Sequence, residues 1–244
     1  MLTLGGAIGA AAAIYAVADH VIVRPLPYAD PDRVVTVWEV SQDGERTEVS
    51  AGNYIDWKER ARSFSHMGLA EPWSVDLTNS GAPQVMRAWG VTEGYFEALG
   101  VRPIVGRSFA AEDYSGSSSV AMLSHDAWQE RFGGDRDIVG RVLTLDGAGV
   151  EVIGVLPPSL EYPTSEELWL PKRFRAAELT ERRAQYMRAV ARLAPGVTVE
   201  QAQAEMDVIA RAMSEEHLAN RDRGARVVPL SDEVLGEARP VGAA

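Results

Sequence analysis

Met187-Arg188-Ala189-Val190-Ala191-Arg192-Leu193-Ala194-Pro195-Gly196-Val197-Thr198-Val199-Glu200-Gln201 opens the stretch that decides the fold. Met187–Leu193 predicts a strand, and Pro195-Gly196 predicts the turn that follows it. Thr198 with Gln201 three residues on is a capping box, in which each side chain bonds the other's backbone amide. Val199, Ala202, Met206, Ile209 and Met213 then recur at spacings of three and four, one apolar face on a helix of about five turns. That helix hides this face on a sheet and exposes Glu200, Gln203, Asp207 and Arg211. Gly224 falls in the next loop and Ala225–Leu230 reads as a second strand. Strand, crossover helix, strand makes a split βαβ unit.

Upstream, the same reasoning gives a mixed chain. Val34–Val40 is rich in β-branched residues and predicts a strand, followed by a polar loop over Ser41–Glu48. Tyr54, Trp57, Ala61 and Phe64 share one face of a helix that starts near Ser50. Such an aromatic stripe is core before it is a ligand groove. Gln84–Val91 is a further strand, leading to a short helix from Thr92 as cap to Leu99, with Gly100 beyond its end. Arg102–Ser119, with a proline, glycines and serines, reads as a connection between subdomains. Val120–Leu123 is a strand, and Ser124 caps a helix carrying Trp128 and Phe132 that Gly133-Gly134 stops. Arg141–Leu145 and Val150–Val155 form a hairpin around Asp146-Gly147. Pro157-Pro158 breaks its second strand. Leu168–Leu170 is one more short strand before a charged helical stretch at Arg173–Arg183.

Met1–Val23 differs from everything after it. No charge occurs before Asp19, and the run is long enough to cross a bilayer, which takes roughly 17–25 mostly apolar residues. Its Ala and Gly content suits packing against other transmembrane helices. Pro25 and Pro27 end any helix there. A cleaved signal peptide is one alternative, with Ala16-Val17-Ala18 as its site, but no basic residue precedes Arg24. A buried Ala-rich helix is another.

The 244 residues leave room for one large domain or two small ones beyond that segment. The net charge of −11 argues against nucleic acid as a partner. Lys58 and Lys172 are the only lysines, and there is no cysteine, so neither a disulfide nor a thiolate zinc site can form. Ser124-His125-Asp126 holds the residue types of a hydrolase triad, but neighbours on a helix point apart, and a cap with its first turn fits better. His20, His66, His125 and His217 are scattered, with no metal-binding spacing. There is no phosphate-binding glycine loop, so the chain is not itself a P-loop ATPase. Gly5-Gly6-Ala7-Ile8-Gly9 has no strand before it and reads as helix packing. No residue takes a catalytic, cofactor or metal role.

Taken together, the motifs resemble the MacB-like periplasmic core domain of FtsX-like permeases, most of all the orphan permease branch common in acidobacteria. The matching pieces run in order along the chain. They are Val21-Ile22-Val23-Arg24-Pro25-Leu26-Pro27-Tyr28, Pro31-Asp32-Arg33-Val34-Val35, Asn53-Tyr54-Ile55-Asp56-Trp57 and Tyr95-Phe96-Glu97-Ala98-Leu99-Gly100-Val101-Arg102-Pro103. Gly106-Arg107-Ser108-Phe109, Leu123-Ser124-His125 with Trp128, Arg131-Phe132-Gly133-Gly134-Asp135, Ile138-Val139-Gly140-Arg141 and Val152-Ile153-Gly154-Val155-Leu156-Pro157-Pro158 follow. Ala191-Arg192-Leu193-Ala194-Pro195-Gly196-Val197-Thr198 and Val227-Val228-Pro229-Leu230 complete the set.

The resemblance implies a transmembrane helix at 1–23 and an α+β domain whose porter-like subdomain is built from 24–99 and 186–231. A β-rich, Sabre-like subdomain is inserted at 100–185, and a tail at 232–244 leads toward a second membrane helix. It implies a noncatalytic extracytoplasmic domain of an ABC-type permease in the inner (cytoplasmic) membrane, periplasmic in position, serving export (efflux) or signalling. Its partners would be an ABC-type ATPase and other permease helices or an adaptor protein, with a homodimer also allowed. Arg24, Pro25, Leu26, Pro27 and Tyr28 are expected to be the elbow that couples helix to domain. In the family the chain continues past the equivalent of Val234–Pro240 into further transmembrane helices. Here it stops at Ala244, so a truncated or split permease, or a module that has lost transport, is expected. The competing reading is a stand-alone membrane-anchored module that binds a peptide or lipid between the subdomains. A hydrolase built on Ser124 is a third.

Overall fold

The computed structural model describes residues 28–78, 83–115, 119–158, 160, 162–164 and 166–237. Its strands are β1 (Val34–Val40), β2 (Arg46–Thr47), β3 (Phe64–Leu77), β4 (Gln84–Val91), β5 (Val105–Gly106), β6 (Val120–Leu123), β7 (Val142–Leu145), β8 (Ala148–Val155), β9 (Leu168–Pro171), β10 (Arg188–Leu193) and β11 (Gly224–Pro229). The helices are α1 (Ala51–Arg60), α2 (Tyr95–Leu99), α3 (Ala111–Ser115), α4 (His125–Phe132), α5 (Val199–Glu216) and α6 (Leu230–Glu237). All the strands join one sheet in the order β11-β1-β10-β3-β4-β9-β6-β8-β5, with β2 on β1 and β7 between β3 and β8.

The split βαβ unit forms as its sequence predicts. β10 and β11 each pair antiparallel with β1 and flank it, so they run parallel to one another across it, joined by α5. The Thr198 hydroxyl takes the Gln201 amide and the Gln201 side chain takes the Thr198 amide, which closes the capping box. β1 is β-branched over Val34–Val37, where every residue is buried and both faces of the strand are covered. Val35 and Val37 pack with Tyr54 and Trp57 of α1 and Met206 of α5. Val34 packs on the other side with Tyr95 and Leu99 of α2 and Leu230 of α6.

β3 changes partner along its length. Its first part pairs with β10 and its second part with β4, the two meeting at Ala70. From β4 the pairing runs through β9, β6, β8 and β7, and Leu77 of β3 meets Leu145 of β7. Six strands therefore close a ring. Met86, Leu123, Leu143, Val152 and Leu168 fill it, with Trp128 of α4 packed in.

Several expectations are corrected. Helix α1 ends at Arg60, so Phe64 opens β3 instead of continuing the helical stripe. The Glu205 carboxylate takes the Arg62 and Ser63 amides and holds the chain in that break. Thr92 does not cap α2; Gly94 holds that place, while the Thr92 hydroxyl accepts the Leu69 amide. Arg173–Arg183 is an extended strap with a single 3-10 turn, Glu178–Thr180, because its charged side chains bond to other elements. The expected connection at Arg102–Ser119 carries β5 and α3. Leu230 begins α6 instead of ending a strand. No helix among the described residues is long and apolar enough to cross a membrane, and the expected span at 1–23 lies outside them.

Candidate functional site

Ser124 is used structurally. Its hydroxyl accepts the Ala127 amide at 3.1 Å, the cap bond of α4. The space beside it, between His125, Pro157 and Trp169, is only about 10 Å³, too small for a substrate. Among the described residues no three His, Asp or Glu side chains gather as a metal site would need.

The best-built polar site lies where the chain comes into the domain. Of the expected elbow, Arg24–Pro27 lie outside the described residues, while Tyr28 is buried among Val34, Tyr95 and Leu230. Its hydroxyl accepts the Tyr162 amide at 3.3 Å. The next residues are gripped by Arg192, which is 7% exposed in the middle of the sheet. Its guanidinium donates to Ala29 O at 2.7 Å, Asp30 O at 3.4 Å and Ala98 O at 2.9 Å. Burial, then the neighbouring Arg33, pushes the Arg192 proton affinity down. The planar fork suits this task because it presents several donors in fixed directions and stays charged. Gly100 makes room for the clamp. It ends α2 at φ +69°, and a Cβ there would sit 2.9 Å from the Arg192 guanidinium and 3.0 Å from Ala29 Cβ. Arg33 ties the same segment down by donating to Leu193 O at 2.7 Å.

The chain leaves the domain beside the place where it came in. Pro229 lies across from Val35, and α6 packs on the turn Pro31–Arg33 as well as on β1 and β11. Val234 of α6 joins the cluster that holds Tyr28. Glu233 bonds Arg46 at 2.8 Å, and Arg46 lies over the Trp38 ring. Incoming turn and outgoing helix thus form one packed base.

The strap 172–185 connects the ring to the split βαβ unit. Lys172 is buried between Glu71 at 2.6 Å and Glu178 at 2.7 Å. Burial alone would raise the Glu178 carboxyl, but bonds from Lys172 and from the Arg175 amide and guanidinium hold it at about 2. Arg182 reaches Asn53 at 2.9 Å and Asp56 at 2.7 Å, and Gln185 donates to buried Glu39 at 2.6 Å. The Gly52 amide donates to Glu181 O at 2.8 Å, so the strap lies directly on the first turn of α1.

Of these residues the sequence reading gives a coupling role only to Tyr28. A charged residue inside the apolar run Ala189-Val190-Ala191-Arg192-Leu193 is a signal that could have found Arg192, since an unpaired buried charge is costly. Nothing local marks Arg182, whose partners lie far off in sequence.

The MacB-like periplasmic core domain family pattern matches residues 1–209. No curated protein matches. Among solved structures the chain is similar to a domain of a protein assigned as a permease from Porphyromonas gingivalis, at TM-score 0.63 and 16% identity, over 83% of this chain and 92% of that one. It is similar to the extracellular domain of the noncanonic ABC-type transporter YknZ from Gram-positive bacteria, at TM-score 0.56 and 15% identity, over 80% and 99%. The periplasmic region of MacB from Actinobacillus actinomycetemcomitans gives 0.59 and 14%, over 86% and 94%. At these identities the likeness is one of fold.

Proposed function

The chain belongs to the MacB-like periplasmic core domain family, and from that premise we propose that it is the noncatalytic extracytoplasmic domain of an ABC-type, FtsX/MacB-like permease. In this reading 1–23 is a helix in the inner membrane and Arg24–Tyr28 is the elbow above it. The domain passes on conformational change driven by a partner ATPase, in export or signalling, through other permease helices or an adaptor. Residues 24–99 with 186–231 form the porter-like subdomain. The inserted subdomain, 100–185, shares the outer part of β3 and β4 with it.

The observation that carries this reading is the packing of α6 on the turn Pro31–Arg33, which brings both ends of the domain to one base. A domain set between two membrane segments needs that geometry. The Arg192 clamp then makes movement of the incoming segment movement of the sheet, because Ala29 and the end of α2 hang from one guanidinium.

Two experiments test it. In carbonate-washed membranes and protease-treated spheroplasts, the chain should stay in the membrane and its domain should be digested from outside; a washed-off or protected chain contradicts the reading. In the assembled permease, the Pro25→Ala, Pro27→Ala double variant should lose partner-dependent activity at unchanged expression. Unchanged activity removes the elbow from the proposal.

A further inference from the structure

We propose that the cleft between α1 and the start of β3 is a docking groove for a short extended peptide, which continues the line of β4 along β3. β4 runs antiparallel to β3 with Val91 opposite Ala70. Beyond β4 the backbone keeps to that line: the Thr92 amide donates to Leu69 O at 3.0 Å and the Thr92 hydroxyl accepts the Leu69 amide at 2.9 Å. At Gly94, φ +96°, where a Cβ would lie 2.5 Å from Met67 O, the chain turns away into α2. β3 goes on to Phe64, paired on its other side with β10. Among the described residues no strand takes up the line that Gly94 leaves. A cleft of about 390 Å³ lies there.

Three features fit an extended backbone. The register shifts between Arg192 and Leu193, so that His66 faces Arg192 and Phe64 faces Leu193 with Ser65 as the extra residue. That bulge leaves Ser65 unpaired in the β10 ladder, and Ser65 lines the cleft. Trp57, Ala61, Phe64 and Met67 form an apolar wall for one guest side chain. Lys58 and Glu93 line the same cleft with opposite charges. The Lys58 ammonium donates to Glu93 O at 2.9 Å, and burial lowers its pKa. An ammonium carries three donors, so it also serves guest carbonyls, while the Glu93 carboxylate accepts guest amides. This pairing suits a backbone, which offers both kinds of group, and disfavours a fatty anion, which Glu93 repels. The volume lies at the small end of ligand cavities, about 300–1,000 Å³, hence a guest of a few residues. Strand addition at a sheet edge is an established way of binding peptides. The inference stands apart from membrane attachment and from the permease reading.

The test is selection of a random heptapeptide library on the purified full chain, then titration of the synthesised winner with hydrogen exchange read out by mass spectrometry. The proposal expects added protection over residues 62–68 and at least tenfold weaker binding to Ala61→Trp, which fills the cleft. Lys58→Met, a change at the rim that leaves the core intact, should weaken it at least threefold. Three outcomes overturn the proposal: no enrichment above that on the Ala61→Trp chain, binding indifferent to Lys58→Met, or protection confined to other segments. Sodium decanoate protecting residues 62–68 and displacing the peptide at lower concentration would assign the cleft to small amphiphiles instead.

Discussion

Arg192 finds backbone carbonyls rather than a carboxylate, so its stabilising effect depends on the segment it holds. Each charge-assisted bond of this kind contributes about 1.5–3 kcal/mol net, and a buried acceptor left bare costs about 1–3 kcal/mol. Arg192→Met should therefore destabilise by about 2–4 kcal/mol in urea unfolding. Arg192→Lys should recover only part, since an ammonium lacks the fork. A loss within about 0.5 kcal/mol, the range of surface changes, would remove Arg192 as a clamp. Gly52 makes a second case at this scale. A Cβ there would meet Glu181 O at 2.9 Å and Arg182 Cγ at 3.0 Å, both in the strap. Gly52→Ala is expected to cost about 1–3 kcal/mol through overpacking and to raise hydrogen exchange over 178–185 before any other segment. Exchange rising uniformly would contradict this. The run around Arg192 marks it as unusual, but neither residue's partner is visible locally, because each lies more than ninety residues away (Ala98 for Arg192, Glu181 for Gly52).

Elements whose partners are close in sequence were legible; those shaped by distant ones were not. The capping box of α5, the Ser124 cap and the Asp146-Gly147 hairpin are local devices, and all form. β3 escaped because its alternation fails where it changes partner: Met67–Ala70 are all buried, whereas Pro72–Ser74 are all exposed. A proline inside it also speaks against a central strand. The Arg173–Arg183 stretch has good helix formers, yet Lys172, Asn53 and Asp56 draw its side chains into an extended strap. β11 shows a protective device at this scale. As the last strand of the sheet it has an edge, and the Gln203 side chain occupies it by donating to Ala225 O at 2.9 Å and accepting the Val227 amide at 2.8 Å. Open edges invite pairing with another chain. Gln203→Leu should leave the fold intact but make sedimentation concentration-dependent. A variant that sediments as the parent does at every concentration would mean that the edge is guarded by α5 alone.

Over the whole molecule, β3 makes the ring and the split βαβ unit share one strand, and the buried Lys172 with Glu71 and Glu178 sits where that strand changes partner. Acid should act at this joint. The Glu178 carboxyl is held at about 2, below its ordinary 4.5. Arg107, against a smaller burial effect, likewise lowers that of Asp113. A carboxylate depressed in the folded state contributes stability that is complete above its unfolded value and is lost as pH falls through the folded one. Stability should thus decline from about pH 4.5 toward about pH 2, and Glu178→Gln should flatten part of that decline. An unchanged pH profile in that variant would take Glu178 out of the acid response. The shared strand has a further consequence for unfolding. Neither half can lose β3 without exposing the other, so the parent chain should unfold in one transition in urea. Near-ultraviolet signals, from Trp57 in one cluster and Trp128 and Trp169 in the other two, should change together with the far-ultraviolet signal. Lys172→Met leaves Glu71 without its cation and Glu178 with Arg175 alone, and removing one partner of a buried ion pair costs about 3–5 kcal/mol. The two parts should then separate into two transitions, the ring melting first because it loses both the strap and the Glu71 tie. A single transition in Lys172→Met, merely shifted to lower urea, would mean that the shared strand alone couples the halves, and that the strap only adds stability.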